Sequence, residues 1–461
     1  MIGIGGTGMT ALAGLLDAAG CRVSGSDHGL YPPTSTVLEG LGIEVRSGFD
    51  PANLLPAPDL VVIGNAVRRG NPEAEEVLDR RLRYTSMARL VSERFLESKH
   101  SIVVAGTHGK TTTTSMLAWV LHNAGRDPGF LVGGVAVNFD GMYRLGRGPA
   151  FVIEGDEYDT AFFDKGPKFM HYRPDTAIVG TVEFDHADIY RDLEQVETAF
   201  RRFTNIVPRR GVVIRNEDCE VTRDVTSGAF SRIEGFGLES GAWRAVDVRD
   251  GPHGVRFRIT RDDRPFGEAA MGVSGHHNVR NALAVAAAAA EQGLSAREIV
   301  DGFESFRGVK RRLEMRGEVN GISVFDDFAH HPSAIAETLG AVRRRSGDRR
   351  VWAVLEPRSW SLRRNVFQDR LAGAFAPADA VVLAGVYGRA DVPADVRLDP
   401  QHVVRTLAAQ GKRALYVEDV DEIVARLSSE LRAGDVVIVM SNGGFGGLIE
   451  KLLHALQGRP A

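Results

Sequence analysis

The sequence predicts an α/β protein in three blocks, each built on a largely parallel sheet. Three observations carry this. Short apolar runs alternate with helix-like stretches along almost the whole chain, the pattern of parallel strands joined by crossover helices. Two glycine-rich turns, Gly3-Ile4-Gly5-Gly6-Thr7-Gly8 and Gly106-Thr107-His108-Gly109-Lys110-Thr111-Thr112, each lead from an apolar run into a helical pattern. At 461 residues the chain has room for about two to four domains of ~100–200 residues.

The first block is drawn over residues 1–99, with strands at 22–26 and 59–63 and a helix at 73–83. Its first strand starts almost at Met1, and the abrupt start is expected to reflect a start site that drops a few residues. The second block, 100–309, opens with a strand at 101–105 and a helix at 112–123, then strands at 151–153 and 176–179. From 230 to 273 the chain alternates apolar and polar residues between Asp-Gly and Asp-Asp turns, which predicts antiparallel strands at one sheet edge. An alanine-rich helix is expected over 278–292. The third block, 310–461, alternates strands at 323–325, 351–355, 380–383, 414–417 and 436–440 with helices such as 332–344 and 420–431. This is the pattern of a doubly wound sheet.

Composition narrows the partners. Hydrophobic residues make up 43% and charged residues 25%, as in ordinary soluble proteins, and a net charge of −4 gives no reason to expect nucleic acid or an anionic membrane. No run of 18 apolar residues occurs, so no membrane helix is predicted. Glycines interrupt the apolar start and no basic segment precedes it, so no signal peptide is expected. Cys21 and Cys219 are too few and too distant for a disulfide framework or a paired metal site, which fits a reducing, cytoplasmic setting.

The strongest chemical signal is the second glycine turn. Glycines let backbone N–H groups converge on phosphate oxygens, and the following helix N-terminus favours negative charge. Lys110 is placed to neutralise β- and γ-phosphates, and the Thr111 hydroxyl to ligate Mg²⁺. The strict phosphate-loop pattern has a glycine at 104, where this chain has Val104. A hard cation on phosphates commonly takes one or two protein carboxylates. Glu154, at the end of an apolar strand in Ile153-Glu154-Gly155-Asp156-Glu157, and His186, in Glu183-Phe184-Asp185-His186, fall after consecutive strands where a parallel sheet binds its ligands.

The first turn fits a dinucleotide fingerprint, with Asp27 at the end of the next strand placed for a ribose. That motif alone would allow a nicotinamide-dependent oxidoreductase. The same loop cradles any pyrophosphate, and a second nucleotide loop is more than hydride transfer requires. A nucleotide-diphosphate substrate beside ATP accounts for both.

The chain resembles the Mur ligase family. The likeness covers nearly all of it and rests on seven clusters in order: the two glycine loops, Glu154-Gly155-Asp156-Glu157, Asp185-His186, Gly275-His276-His277-Asn278-Val279-Arg280-Asn281, Arg311-Arg312-Leu313-Glu314 and Asp326-Asp327-Phe328-Ala329-His330-His331-Pro332. The resemblance implies a Rossmann-like UDP-binding domain, a central P-loop ATPase domain and a C-terminal Rossmann-like domain that binds the peptide. It implies UDP contacts at Gly5, Gly6, Thr7, Gly8 and Asp27, with Asn65 nearby. ATP contacts would be Gly106, Thr107, His108, Gly109, Lys110, Thr111 and Thr112, with Asn281 at adenine and Arg312 and Asp326 delivered by the third domain. Thr111, Glu154 and His186 match the metal ligands, and Lys110, Glu154 and His186 the catalytic set.

Within the family the chain is most similar to the branch that joins a recycled cell-wall tripeptide to UDP-N-acetylmuramate, and next to the branch that adds L-alanine. Pro357-Arg358-Ser359-Trp360-Ser361-Leu362-Arg363-Arg364 stands where the L-alanine branch has a different run, and Arg358 and Arg363 suit a substrate rich in carboxylates. Two departures stand out. Thr181 occupies a usual asparagine position, and no lysine lies between His186 and Phe200, so no carbamylated lysine is expected. The implied partners are UDP-N-acetylmuramate, ATP with Mg²⁺, and the tripeptide L-alanyl-γ-D-glutamyl-meso-diaminopimelate; monomer and homodimer both stay open. Lys110→Ala is expected to abolish turnover and spare the fold.

Overall fold

The computed structural model describes residues 1–458, so the last three residues of the third block as drawn lie outside it. The central block is a ten-stranded sheet. Seven strands run parallel through its middle, in the spatial order Trp243–Gly251, Arg232–Gly237, Val212–Asn216, Thr176–Val179, His100–Ala105, Ala150–Gly155 and Gly129–Ala136. Both margins turn antiparallel. Gly141–Arg144 closes one, and the meander Trp243–Gly251, Gly254–Arg261 and Arg264–Met271 extends the other. The antiparallel edge expected over 230–273 is therefore present, except that Arg232–Gly237 pairs parallel with both its neighbours, Val212–Asn216 and Trp243–Gly251.

The strand His100–Ala105 shows how the sheet is buried on both faces, as parallel strands covered by helices must be. Ile102 and Val104 pack with Met116, Leu117 and Leu121 of helix Lys110–Asn123 and with the helix His276–Glu291. Val103 and Ala105, pointing the other way, pack with Phe200 and Phe203 of helix Leu193–Asn205 and with Met9, Leu12 and Leu16 of the first block's helix Thr7–Ala18. The first block is thus seated on the central sheet. Helix Lys110–Asn123 opens Lys-Thr-Thr-Thr-Thr, a run of β-branched residues with modest helix propensity. Thr111 to Leu121 are buried except Trp119, so packing rather than propensity holds it.

The third block is a six-stranded sheet, ordered Glu314–Val319, Ile322–Asp327, Val436–Met440, Val351–Leu355, Ala380–Ala384 and Arg413–Val417, parallel except at its first edge. Apolar clusters on both faces give the doubly wound arrangement. In the first block, Ser24–Asp27 pairs with Glu44–Ser47 and Val61–Ile63 with Tyr84–Ser86, each in parallel. Ile2 forms single bridges to both Ser26 and Ile63. The expected opening strand is thus one bridging residue between two parallel pairs, because the chain turns into the glycine loop at Gly3.

Candidate active site

A cleft of about 990 Å³ opens where the three blocks meet, within the size range of small-molecule sites. Gly5, Gly6, Thr7, Gly8 and Asn65 line it from the first block, Thr107 to Thr113 with Glu154, His186 and Asn281 from the second, and Arg312, Asp326 and His331 from the third. Elements separated by hundreds of residues thus bring most of the expected site to one cavity.

The phosphate loop joins strand His100–Ala105 to helix Lys110–Asn123, and Gly109 occupies its last position with φ +79°. A Cβ there would stand 2.7 Å from Asn281 Oδ1, so a side chain fits neither the backbone nor the space. The helix N-terminus has no side-chain cap, which leaves its N–H groups for an anion. Lys110 Nζ donates to the Gly106 carbonyl at 2.7 Å and to Glu157 at 2.8 and 3.1 Å.

Glu157 is the residue the sequence reading passed over, although it ends a motif already singled out. Its carboxylate lies under both Lys110 and His186, whose Nε2 is 3.2 Å away. Burial works to raise its pKa, but the Lys110 charge and the His186 hydrogen bond outweigh burial and hold it at about 2. In return Glu157 overcomes burial to raise the pKa of Lys110 and of His186. His186 carries φ +54°, uncommon outside glycine, and its N–H is held by Asp185 Oδ1 at 2.7 Å. The same oxygen accepts from Ser361 Oγ of the third block at 2.7 Å.

Thr111 Oγ1 donates to Glu154 Oε2 at 3.1 Å, and Gly133 N–H donates to Glu154 Oε1 at 2.6 Å. Burial, then the charge of Asp156, raises Glu154 to about 7. A buried carboxylate raised in this way is one that a cation would stabilise. The hydroxyl and carboxylate also suit a hard cation held mainly by phosphate oxygens. From the third block, Arg312 Nη2 reaches Thr111 Oγ1 at 3.4 Å while its guanidinium lies 4.7 Å over the Phe328 ring. Asp326 accepts from Arg311 at 3.2 Å and Arg316 at 3.3 Å.

Gly106 falls outside the cleft lining, its carbonyl taken by Lys110, and three further expected contacts come out differently. Asp27 does not line the cleft: its Oδ2 accepts the Gly5 N–H at 2.8 Å, so it shapes the first glycine loop from behind. Arg363 is buried, donating to the Gly388 carbonyl at 2.8 Å and lying over Trp360, so its own block holds it away from the cleft, with its Nε buried and without a hydrogen-bond partner. Arg358 stacks 3.7 Å over Tyr387 and pairs with Glu356, likewise outside the cleft lining. Sequence position gave no sign of these neighbours, which the third block's own loops supply. The expectation that Lys110→Ala spares the fold also changes, since it would strand the Glu157 carboxylate.

Comparison with known proteins agrees with this geometry. The sequence models of the Mur ligase family catalytic domain, the Mur ligase middle domain and the Mur ligase glutamate ligase domain match residues 1–97, 104–289 and 311–443. The chain is 42% identical over 458 residues to the UDP-N-acetylmuramate–L-alanyl-γ-D-glutamyl-meso-2,6-diaminoheptandioate ligase of Escherichia coli strain K12, covering 99% of this chain and 97% of the relative. Among solved structures it resembles a murein peptide ligase from Psychrobacter arcticus, with TM-score 0.76 and 40% identity over 100% of this chain and 98% of that one. It also resembles the UDP-N-acetylmuramate-alanine ligase of Thermotoga maritima, with TM-score 0.82 and 26% identity over 99% and 98%.

Proposed function

The chain belongs to the Mur ligase family, and from that premise we propose that it joins the tripeptide L-alanyl-γ-D-glutamyl-meso-diaminopimelate to UDP-N-acetylmuramate, using ATP, in the recycling of peptidoglycan. The observation that carries this reading is one cleft lined by two glycine loops and the edge of a third block. It has room for a diphosphate-linked sugar and a nucleoside triphosphate side by side. With that family, the oxidoreductase reading of the first loop falls away.

In the proposed reaction the lactyl carboxylate attacks the γ-phosphate, ADP leaves, and an acyl phosphate forms. The peptide's α-amine then attacks the acyl carbon and phosphate leaves. Two anions must meet in the first step, so catalysis rests on fixed positive charge. Lys110, kept charged by Glu157, and Arg312, brought from the third block, supply it. Thr111, Glu154 and His186 are assigned to Mg²⁺, which when bound screens the phosphates; ligation requires the neutral ring of His186. Gly5, Gly6, Thr7, Gly8 and Asn65 are assigned to the UDP moiety, with Asp27 positioning that loop. Asn281, behind Gly109 and in the cleft lining, is assigned to the nucleotide base.

A second reading, addition of L-alanine, draws support from the higher TM-score to the Thermotoga enzyme. Residue identity favours the tripeptide, because substrate choice is set by side chains rather than backbone path. Among the described residues no helix is long and apolar enough to cross a membrane. With two free cysteines, the cytoplasm is the proposed location. Incubation with ATP, Mg²⁺, UDP-N-acetylmuramate and tripeptide should yield, by mass spectrometry, the amide-linked product with one ADP per bond. Production of AMP, or no linked product, would refute the reading.

A further inference from the structure

At the edge of the cleft, whose lining includes His108 and His331, three metal-binding side chains converge that no step above uses. His108 projects from the phosphate loop, Glu183 follows strand Thr176–Val179, and His331 caps the third-block helix Pro332–Ser346. One ligand atom from each lies within 4.8 Å of the others. His108 Nε2 is 3.4 Å from Glu183 Oε2, and His331 Nδ1 is 3.2 Å from the same oxygen. A tetrahedral ion with bonds of ~2.0–2.1 Å sets its ligands about 3.3–3.4 Å apart. Two of the three edges already have roughly that length.

Hydrogen bonding gives a second, independent pointer. His331 Nε2 lies 3.3 Å from the Phe184 carbonyl oxygen, which can only accept. Nδ1 lies 3.3 Å from the Ser333 backbone N–H, which can only donate. The ring proton therefore sits on Nε2, and Nδ1 is the unprotonated nitrogen, its one lone pair accepting the Ser333 N–H while a carboxylate oxygen with no proton to offer stands 3.2 Å away. His331 is only 1% exposed, so two acceptors 3.2 Å apart repel with little screening. A cation between them removes that conflict. Ser333 Oγ, 2.7 Å from Glu183 Oε2, steadies the carboxylate.

We propose that His108, Glu183 and His331 form a binding site for a transition-metal dication of the zinc class. Two imidazoles and one carboxylate favour such an ion over Mg²⁺, which separates this site from the hydroxyl and carboxylate of Thr111 and Glu154. His108 and Glu183 remain 22% and 25% exposed and leave a path for entry. Because His331 belongs to the third block, a bound ion pins the phosphate loop to that block.

The test uses Co²⁺ as the probe, since tetrahedral Co²⁺ absorbs visible light far more strongly than octahedral Co²⁺. The full chain, without nucleotide or peptide and in excess Mg²⁺, is titrated with Co²⁺ and followed by absorption and equilibrium dialysis. The expected result is one equivalent with a tetrahedral spectrum, displaced by Zn²⁺, and bound roughly tenfold or more weakly by His331→Ala and by His108→Ala. His331 is buried and caps a helix, so circular dichroism first establishes that its variant folds; partly exposed His108 supplies the second variant. No uptake by the folded protein, or uptake that the folded variants retain, overturns the site. With no substrate present, the outcome is independent of the ligase assignment.

Discussion

Glu157 sets what its two neighbours can be. With 2% exposure it is a buried carboxylate, and the Lys110 ammonium, with the His186 ring nitrogen beside it, makes its burial tolerable. Breaking such a pair on one side costs about 3–5 kcal/mol, whereas removing both charges is far less costly. Lys110→Ala should therefore lose turnover and also unfold at markedly lower denaturant, while Lys110→Ala with Glu157→Gln should recover stability and stay inactive. Urea melts of the two variants check this; equal stability in both would contradict it. The pH dependence follows in sign. A carboxyl held at about 2 instead of 4.5 contributes stability that is complete above 4.5 and lost as pH falls from there toward 2. The double variant should lose stability less steeply across that window. That Lys110, Glu154 and His186 face one cleft was legible in the sequence, because glycine turns and strand ends fall at the edge of a parallel sheet. Glu157 was not, because a buried counter-ion differs from a solvated loop acid only by what folds over it.

At the scale of elements, the phosphate loop depends on a contact between two helices distant in sequence. Gly109 precedes one and Asn281 stands on the other, and their closeness forbids a side chain at 109. Gly109→Ala forces a left-handed alanine costing ~1–2 kcal/mol and a clash with the amide. The KM for ATP should rise about tenfold or more, with the KM for UDP-N-acetylmuramate little changed. An unaltered KM for ATP would show the loop to be more pliant than this geometry allows. Elements themselves were largely legible. The strands Thr176–Val179, Val351–Leu355 and Val436–Met440 match the apolar runs residue for residue, since strands buried on both faces read as continuous apolar sequence. The parallel pairing of Arg232–Gly237 was not legible, because alternation reports one buried face and says nothing of strand direction. Arg358 and Arg363 were misplaced for a related reason: sequence shows a cluster of guanidinium groups, and only folding shows that Tyr387, Trp360 and Gly388 take them up.

Across the whole molecule, the third block meets the reaction centre through polar contacts: Arg312 to Thr111, Ser361 to Asp185 and Ala187, Ser333 to Glu183, and His331 to Phe184 and Glu183. Polar interfaces between domains permit relative motion. Binding of ATP and UDP-N-acetylmuramate together should draw the blocks closer and exclude water from the acyl phosphate. Small-angle scattering should show a smaller radius of gyration with both nucleotides than with either alone, and an unchanged profile would argue against closure. The central claim is that this closed cleft forms an amide bond with a tripeptide rather than with L-alanine. Phosphate release from ATP and Mg²⁺ with UDP-N-acetylmuramate, measured with each amine in turn, tests it most directly. Turnover with the tripeptide and none with L-alanine is the predicted result; turnover with L-alanine alone would contradict it.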